Sequence, residues 1–308
     1  MKMLLSPLMR YICQVAEDGS IRKASEYLHI SPSAINRQII NFEELIGAPI
    51  FERLPRGMKL TDAGRVIYDI IKDFEKVSAA AVSEVSAIKG KQRGHVAIGT
   101  IQTLAGDFFP GFLARSRQDN PDISFSIFSG NTEEIVRKVV GNELDIGICW
   151  EPPEQVPIEK LKIHSMDIGV AMHPSHPLAQ EPDLSLQQCR DFPIIFPADG
   201  MEIRKLLDRI NVGRKTSISP AITTNAMSLI RSLALSGTGL SVTTLLSVAN
   251  EVASGQLAFK NLRDVGSQHL RLAIFHRQTA SLPAAARMVC DSILLALDSY
   301  LAPPRLAS

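Results

Sequence analysis

The stretch from Ser20 to Phe42, SIRKASEYLHISPSAINRQIINF, constrains this chain more than any other. Ser20 is a good helix N-cap, and Ile21, Ala24 and Leu28 follow it at helical spacing. His29 and Ile30 interrupt the pattern. Ser31 then offers a second cap, and Pro32 takes the first helical position, where a missing N–H costs nothing. Ile30 and Ile35 flank that cap as a hydrophobic staple. In the second helix Ile35, Ile39, Phe42 and Ile46 recur at i, i+4, i+7 and i+11, which makes one apolar face. Ser33, Asn36, Arg37 and Ile40 lie on another. Two short helices and a tight turn therefore present a hydroxyl, an amide and a guanidinium outward. A helix that enters a DNA major groove needs short polar groups near its N-terminus for base edges, and arginine for guanine or phosphate.

Helix pairs with a polar face also occur in proteins that bind no DNA, so the flanks decide the reading. Leu4, Leu8, Ile12 and Val15 make an amphipathic helix on which the pair can pack. After the pair, a short apolar run at Pro49–Phe51 enters a Pro/Gly turn at Leu54-Pro55-Arg56-Gly57. Arg53, Arg56 and Lys59 stand there with no acid between them. The spacing predicts a β-hairpin wing that holds cations against phosphates.

The run from Gly19 to Tyr68 resembles the N-terminal domain of LysR-type transcriptional regulators. The matching residues are Gly19-Ser20, Ala24, Leu28, Ser31, Arg37-Gln38-Ile39, Glu43-Glu44-Leu45, Gly47, Phe51-Glu52-Arg53, Leu60-Thr61 and Ala63-Gly64. The resemblance implies a winged helix-turn-helix on double-stranded DNA. Its candidate residues are Ser31, Pro32, Ser33, Asn36, Arg37 and Gln38 on the second helix and Arg53, Arg56 and Lys59 on the wing. One departure stands out. The family usually has Gln then Pro after the capping Ser, and this chain has Pro32 then Ser33. The family's base-contacting Gln is absent, so its base preference does not carry over at that position.

Charge and cysteine use bound the rest. A net charge of +1 over 308 residues excludes binding nucleic acid by bulk charge, so any positive potential has to be local. Cys13, Cys149, Cys189 and Cys290 are far apart without a CxxC pair, which argues against a zinc site and for a reducing compartment. Pro7 and Arg10 break the early apolar stretch, so no export signal is read. No apolar run approaches the ~20 residues of a membrane helix. A cytoplasmic protein without metal or resident cofactor is expected.

From Thr61 the pattern is one long helix. Thr61 caps it, and Ile67, Ile70, Phe74, Val77 and Ala81 alternate three and four apart. Such a narrow seam predicts pairing with a second copy, whereas a helix packed on its own domain would want a wider stripe. The resembled family uses this segment as the linker helix of a homodimer, commonly assembled into a homotetramer. Gly90-Lys91-Gln92-Arg93-Gly94 then reads as a hinge.

Beyond it strands and helices alternate. His95–Ile101, Ile123–Ser129 and Leu144–Cys149 read as strands, with helices over Ala105–Gln118 and Thr132–Gly141 between them. This order predicts a parallel sheet whose ligands sit beyond the carboxyl ends of its strands. A second, similar unit follows: two strand-like pieces in Leu161–Met172, strands at Pro193–Phe196, Ser217–Thr223, Leu240–Thr243 and Leu270–His276, and helices at Met201–Ile210, Ala226–Leu235 and Pro283–Tyr300. The resemblance continues through Asp145-Ile146-Gly147-Ile148, His176-Pro177-Leu178 and Ser236-Gly237-Thr238-Gly239-Leu240. It implies an effector-binding domain built like type 2 periplasmic binding proteins, with crossovers near Leu161–Ser165 and Val265–His269. The expected class is thus α/β with an N-terminal all-α, winged helix-turn-helix domain. Its parts are residues 1–60 for DNA, 61–89 for the linker, 90–94 for the hinge and 95–303 for the effector domain. Residues 95–164 and 269–303 make its first subdomain and 165–268 its second.

The turns at the strand ends suggest what the cleft binds. Thr100, Gln102, Thr103, Asn131 and Thr132 form one expected wall, and Phe196, Ala198, Thr224 and Asn225 the other, with Trp150 as a roof. Hydroxyls and amides at helix N-termini favour an anion, so a small carboxylated effector is expected. Asp199 opposes that charge. The same residue types cap helices that bind nothing, and a regulator with an empty or vestigial cleft is the alternative. His173 and His176 sit among prolines in a surface loop and not in a metal site, and Gly237-Thr238-Gly239 precedes a strand and lacks the further glycine of a nucleotide fingerprint. No hydrolase elbow, zinc-protease or phosphate-loop motif supports an enzyme. A transport binding protein would carry an export signal and no helix-turn-helix.

Overall fold

The computed structural model describes residues 5–55, 57–88, 93–211, 219–266, 268–278 and 282–301. It divides into two units, Met1–Gly94 and His95–Ser308.

In the first unit α1 (Pro7–Asp18), α2 (Ile21–Leu28) and α3 (Pro32–Ile46) pack in turn, followed by β1 (Phe51–Leu54), β2 (Gly57–Leu60) and α4 (Asp62–Ile88). The expected caps form. Ser20 Oγ accepts from Lys23 N at 3.4 Å and Ser31 Oγ from Ala34 N at 3.3 Å. His29 closes α2 in the left-handed region at φ 55°. Ile12, Val15, Ala24, Ile35, Ile39 and Ile50 make the buried core. Leu4, expected on the first helix, lies outside the described residues. Ile46 departs from the expected apolar face and is 37% exposed, because α3 ends there at left-handed Gly47.

The wing is an antiparallel hairpin pairing Phe51 with Leu60 and Arg53 with Met58. Gly57, at φ 133°, cannot be replaced freely. A Cβ there would stand 2.4 Å from the Gly19 carbonyl oxygen, which accepts from Met58 N. Thr61 caps α4 as expected, accepting from Gly64 N at 2.9 Å while donating to the Pro49 carbonyl at 2.7 Å. α4 sends Ile71 into the core and half-buries Ile67 and Tyr68 against it. Ile67 therefore belongs to the chain's own core, and not to an outward seam. Val66, Ile70, Phe74, Val77, Val82, Val85 and Ile88 remain exposed along the rest of the helix.

The second unit contains two five-stranded sheets. Its elements run β3 (Gly94–Thr100), α5 (Gln102–Asp107), α6 (Phe109–Asp119), β4 (Ile123–Ser129), α7 (Thr132–Val140), β5 (Ile146–Trp150), β6 (Ile158–Met166), β7 (Ile168–Met172), α8 (Leu186–Cys189), β8 (Ile194–Pro197), α9 (Glu202–Asn211), β9 (Ile222–Thr224), α10 (Met227–Leu235), β10 (Leu240–Thr244), α11 (Ala249–Ala253), β11 (Ala258–Asn261), β12 (Leu270–Arg277) and α12 (Ala284–Leu301). The first sheet has the order β4-β3-β5-β12-β6 and the second β11-β7-β10-β8-β9. The parallel arrangement holds where β-α-β units repeat, at β3 with β5, at β10 with β8 and at β8 with β9. It fails where the chain changes sheets. β12 runs antiparallel to both β5 and β6, and β7 antiparallel to β10 and β11. Leu161–Ser165, expected at the first crossover, lie within β6 of the first sheet. The chain leaves that sheet at Asp167, between β6 and β7, and returns between Val265 and Leu270.

Each sheet buries its own apolar core. One centres on Ile98, Ile146, Ile148, Leu272 and Phe275, the other on Val170, Ile194, Leu207, Leu240 and Val242. Asp145 pins the first by accepting from Ala97 N at 2.8 Å. Trp150 and Met166 pack against both cores.

Candidate DNA interface and effector cavity

The candidate recognition surface is built by α3 and the hairpin. Pro32, Ser33, Arg37 and Gln38 are exposed, and Asn36 is half-buried. These side chains stand outside the core because Ile35 and Ile39 take the inward positions of the same helix. Ser31 uses its hydroxyl as the helix cap, 3.3 Å from the Ser33 hydroxyl, so it supports this surface more than it extends it. Arg53 reaches from β1 to α3 and donates to Asn36 Oδ1 at 2.7 Å. That bond ties wing to helix and fixes the amide's orientation. Lys59 is exposed, with Glu52 directly across the hairpin from it. Arg56 lies outside the described residues.

One supporting residue was not expected to act here. Glu43 Oε1 accepts from Ile50 N at 2.7 Å and Phe51 N at 3.1 Å, so a carboxylate on α3 sets where the hairpin starts. Glu43 stood among the matching residues, but its partners are backbone groups and carry no sequence signal.

In the second unit a cavity of about 510 Å³ lies between the two sheets' lobes, at the carboxyl ends of their strands. Of the expected residues, Gln102, Thr103, Asn131, Thr132, Trp150 and Asn225 line it. Thr100, Phe196, Ala198 and Thr224 do not. Thr100 and Phe196 are buried under the strand ends, and Arg204 lies over the Phe196 ring. Ala198 N donates to the Thr224 carbonyl, and Thr224 Oγ1 accepts from Ala226 N at 3.1 Å, so both hold the β8–β9 edge together. Lining residues not anticipated include Ser129, Met201, Glu202, Met227, Thr243, Thr244 and Ser247. Thr243 and Thr244 end β10, and the rule that ligands sit at carboxyl strand ends would have flagged them.

Several groups join the lobes. Gln102 Oε1 accepts from Met227 N at 3.3 Å across the cavity. Deeper, Arg231 on α10 donates to Asp107 on α5 at 2.8 Å and to Glu251 on α11 at 3.3 Å, with all three side chains largely buried. Burial first, and then Asp107, pushes the Tyr300 hydroxyl above its ordinary range beside them. Beneath the cavity, burial holds the Cys149 thiol protonated up to about 12. No group of metal-ligating side chains occurs among the described residues.

Two family models match this chain. Residues 7–65 fit the bacterial regulatory helix-turn-helix protein of the lysR family. Residues 89–297, well over half the chain, fit the LysR substrate binding domain. The chain belongs to the LysR family of transcriptional regulators. It is similar to the HTH-type transcriptional regulator CbbR of Xanthobacter flavus, 27% identical over 91% of this chain and 85% of that one. Full-length OxyR C199D from Pseudomonas aeruginosa shares the fold with a TM-score of 0.69 at 20% identity, over 94% of each chain. So does full-length CbnR complexed with its target DNA, at a TM-score of 0.61 and 19% identity, over 94% of this chain and 98% of that one. This LysR-type regulator is therefore a DNA-binding transcriptional regulator with an effector-binding domain. Among the described residues no helix is long and apolar enough to cross a membrane.

Proposed function

We propose that this regulator reads a two-fold DNA site as a dimer. Asn36, Arg37 and Ser33 meet bases or backbone, and Arg53, Arg56 and Lys59 meet phosphates. The observation that carries this is the outward set on α3, with Arg37 and Gln38 exposed and Asn36 held by Arg53 from the wing. The exposed stripe from Ile70 to Ile88 is the surface that pairs two chains, and further pairing gives the homotetramer. A small metabolite in the cavity between the lobes shifts the arrangement of the DNA-binding heads. The regulator works in the cytoplasm and needs no cofactor beyond that effector.

The test is a gel shift on the DNA upstream of the chain's own gene. Arg37→Ala is expected to lose at least about tenfold in affinity, the loss of one bidentate base contact or more. Its thermal unfolding should match wild type, since Arg37 is exposed. Wild-type affinity in that variant would remove α3 from the interface.

A further inference from the structure

The walls of the cavity decide what charge fits inside it. An anion would need free N–H groups or cations. At the starts of α7 and α10 one helix N–H each, that of Glu134 and that of Met227, is already engaged. Asn131 and Glu134 cap α7 reciprocally, at 2.9 and 3.0 Å, and Gln102 Oε1 takes Met227 N at the start of α10. Glu133 and Glu134 in the first turn of α7, and Glu202 in that of α9, already occupy the positive ends of those helices. No Lys, Arg or His lines the cavity among the described residues. Two carboxylates do, Asp199 and Glu202.

The two acids are not equivalent. The Asp199 side chain is 90% exposed and lies 3.3 Å from Arg204. The Glu202 side chain is 30% exposed, and Lys205, itself 46% exposed, holds only its Oε1 at 2.7 Å. A pair with so solvated a lysine is weak, which leaves Glu202 open to a drier cation. From the other lobe Trp150 supplies an indole, the side chain that attracts cations best. Thr243 adds an independent sign of a missing ligand. It is fully buried on the cavity wall, and its hydroxyl has no hydrogen-bond partner among the described residues.

We propose that the cavity takes a small organic cation, an ammonium compound with an apolar body, its charge against Glu202 and Trp150 and a polar group bonded to Thr243. This rests on the reading of the cavity as the effector site. It replaces the carboxylated effector expected from the sequence with the opposite charge class.

The chain has one tryptophan and it stands on this cavity's wall, so tryptophan emission reports from this place in the molecule. Phenethylammonium, 3-phenylpropionate and 2-phenylethanol share a body and differ at the end group. Titrated into the full chain, phenethylammonium is expected to shift Trp150 emission saturably, on the order of millimolar for so small a probe. Its half-saturation should lie at least about tenfold below that of 3-phenylpropionate, as expected when one hydrogen-bonded charge is matched rather than opposed. Glu202→Gln should reduce that preference about tenfold. Lys205→Met, on an exposed side chain that tolerates change, should tighten phenethylammonium about two- to fivefold by releasing Glu202. A preference for 3-phenylpropionate, or one indifferent to both variants, overturns the charge class and leaves the cavity an effector site. Failure of all three probes to move Trp150 overturns the charge class and removes support for the cavity reading as well. The DNA-binding reading is tested separately by Arg37→Ala.

Discussion

Glu43 illustrates how one side chain can set the start of the wing through backbone groups alone. Its carboxylate satisfies two consecutive backbone N–H groups at the buried start of the wing. Glu43→Ala leaves both without a partner, and two lost charge-assisted bonds of this kind cost about 3–6 kcal/mol. Chemical denaturation should show that loss in the first unit, and the wing should lose DNA affinity with it. The thiols make a second case. Burial raises Cys149 and Cys290 to about 12 and Cys189 to about 11. An unfolded thiol ionises near ~8.5. Between these values the folded chain binds more protons than the unfolded one, so stability falls as pH rises from about 9 toward 11. At pH 8 these three thiols should resist a disulfide reagent in the native chain and react once it is unfolded. Rapid native labelling of any of them would contradict the burial that shifts them.

At the scale of elements, α4 is two helices in function. Its first turns bury Ile71 in the DNA-binding core, and the remainder presents Ile70, Phe74, Val77 and Val85 to the outside. Phe74→Glu, at a position 42% exposed, should leave the monomer folded and abolish pairing. Light scattering should then report half the wild-type mass, and DNA affinity should fall with the lost second half-site. Periodicity marked this helix and the recognition pair because caps, a proline at the first position and a strict apolar spacing are local signals. Ile67 was misplaced because the outward seam and the inward anchor share nearly the same spacing, and only the neighbouring domain separates them. The cavity was legible mainly from one side, with Asn225 alone of the second expected wall lining it. Gln102, Thr103, Asn131 and Thr132 follow strands that can be read directly, and Thr243 ends one as well, whereas Ser247 reaches the wall from a turn beyond β10 that no local pattern announces. The charge proposed for the site turns on Asp199 and Glu202 meeting on one wall and on contacts such as Gln102 with Met227 N from the other lobe, which are properties of folded neighbours.

At the scale of the effector-binding unit, Arg231 is a fastening between lobes. It faces Asp107 from one and Glu251 from the other, with side chains 21%, 11% and 14% exposed respectively. Arg231→Gln leaves two buried carboxylates without their cation, and breaking such a cluster from one side costs about 3–5 kcal/mol. Urea unfolding should detect this in the effector-binding unit, with the first unit unaffected. A loss under about 1 kcal/mol would mean that the cluster is hydrated and the lobes are held elsewhere.

The position of β12 sets an order of assembly. The first sheet places Leu270–Arg277 between β5 and β6, in its interior. On the ribosome, the lobe that starts being made first therefore waits with an open slot while the whole of its neighbour is synthesised. Until that late segment emerges, Ile148 and Ile163 have no strand between them, and the early lobe is the one exposed to mispairing and to proteases.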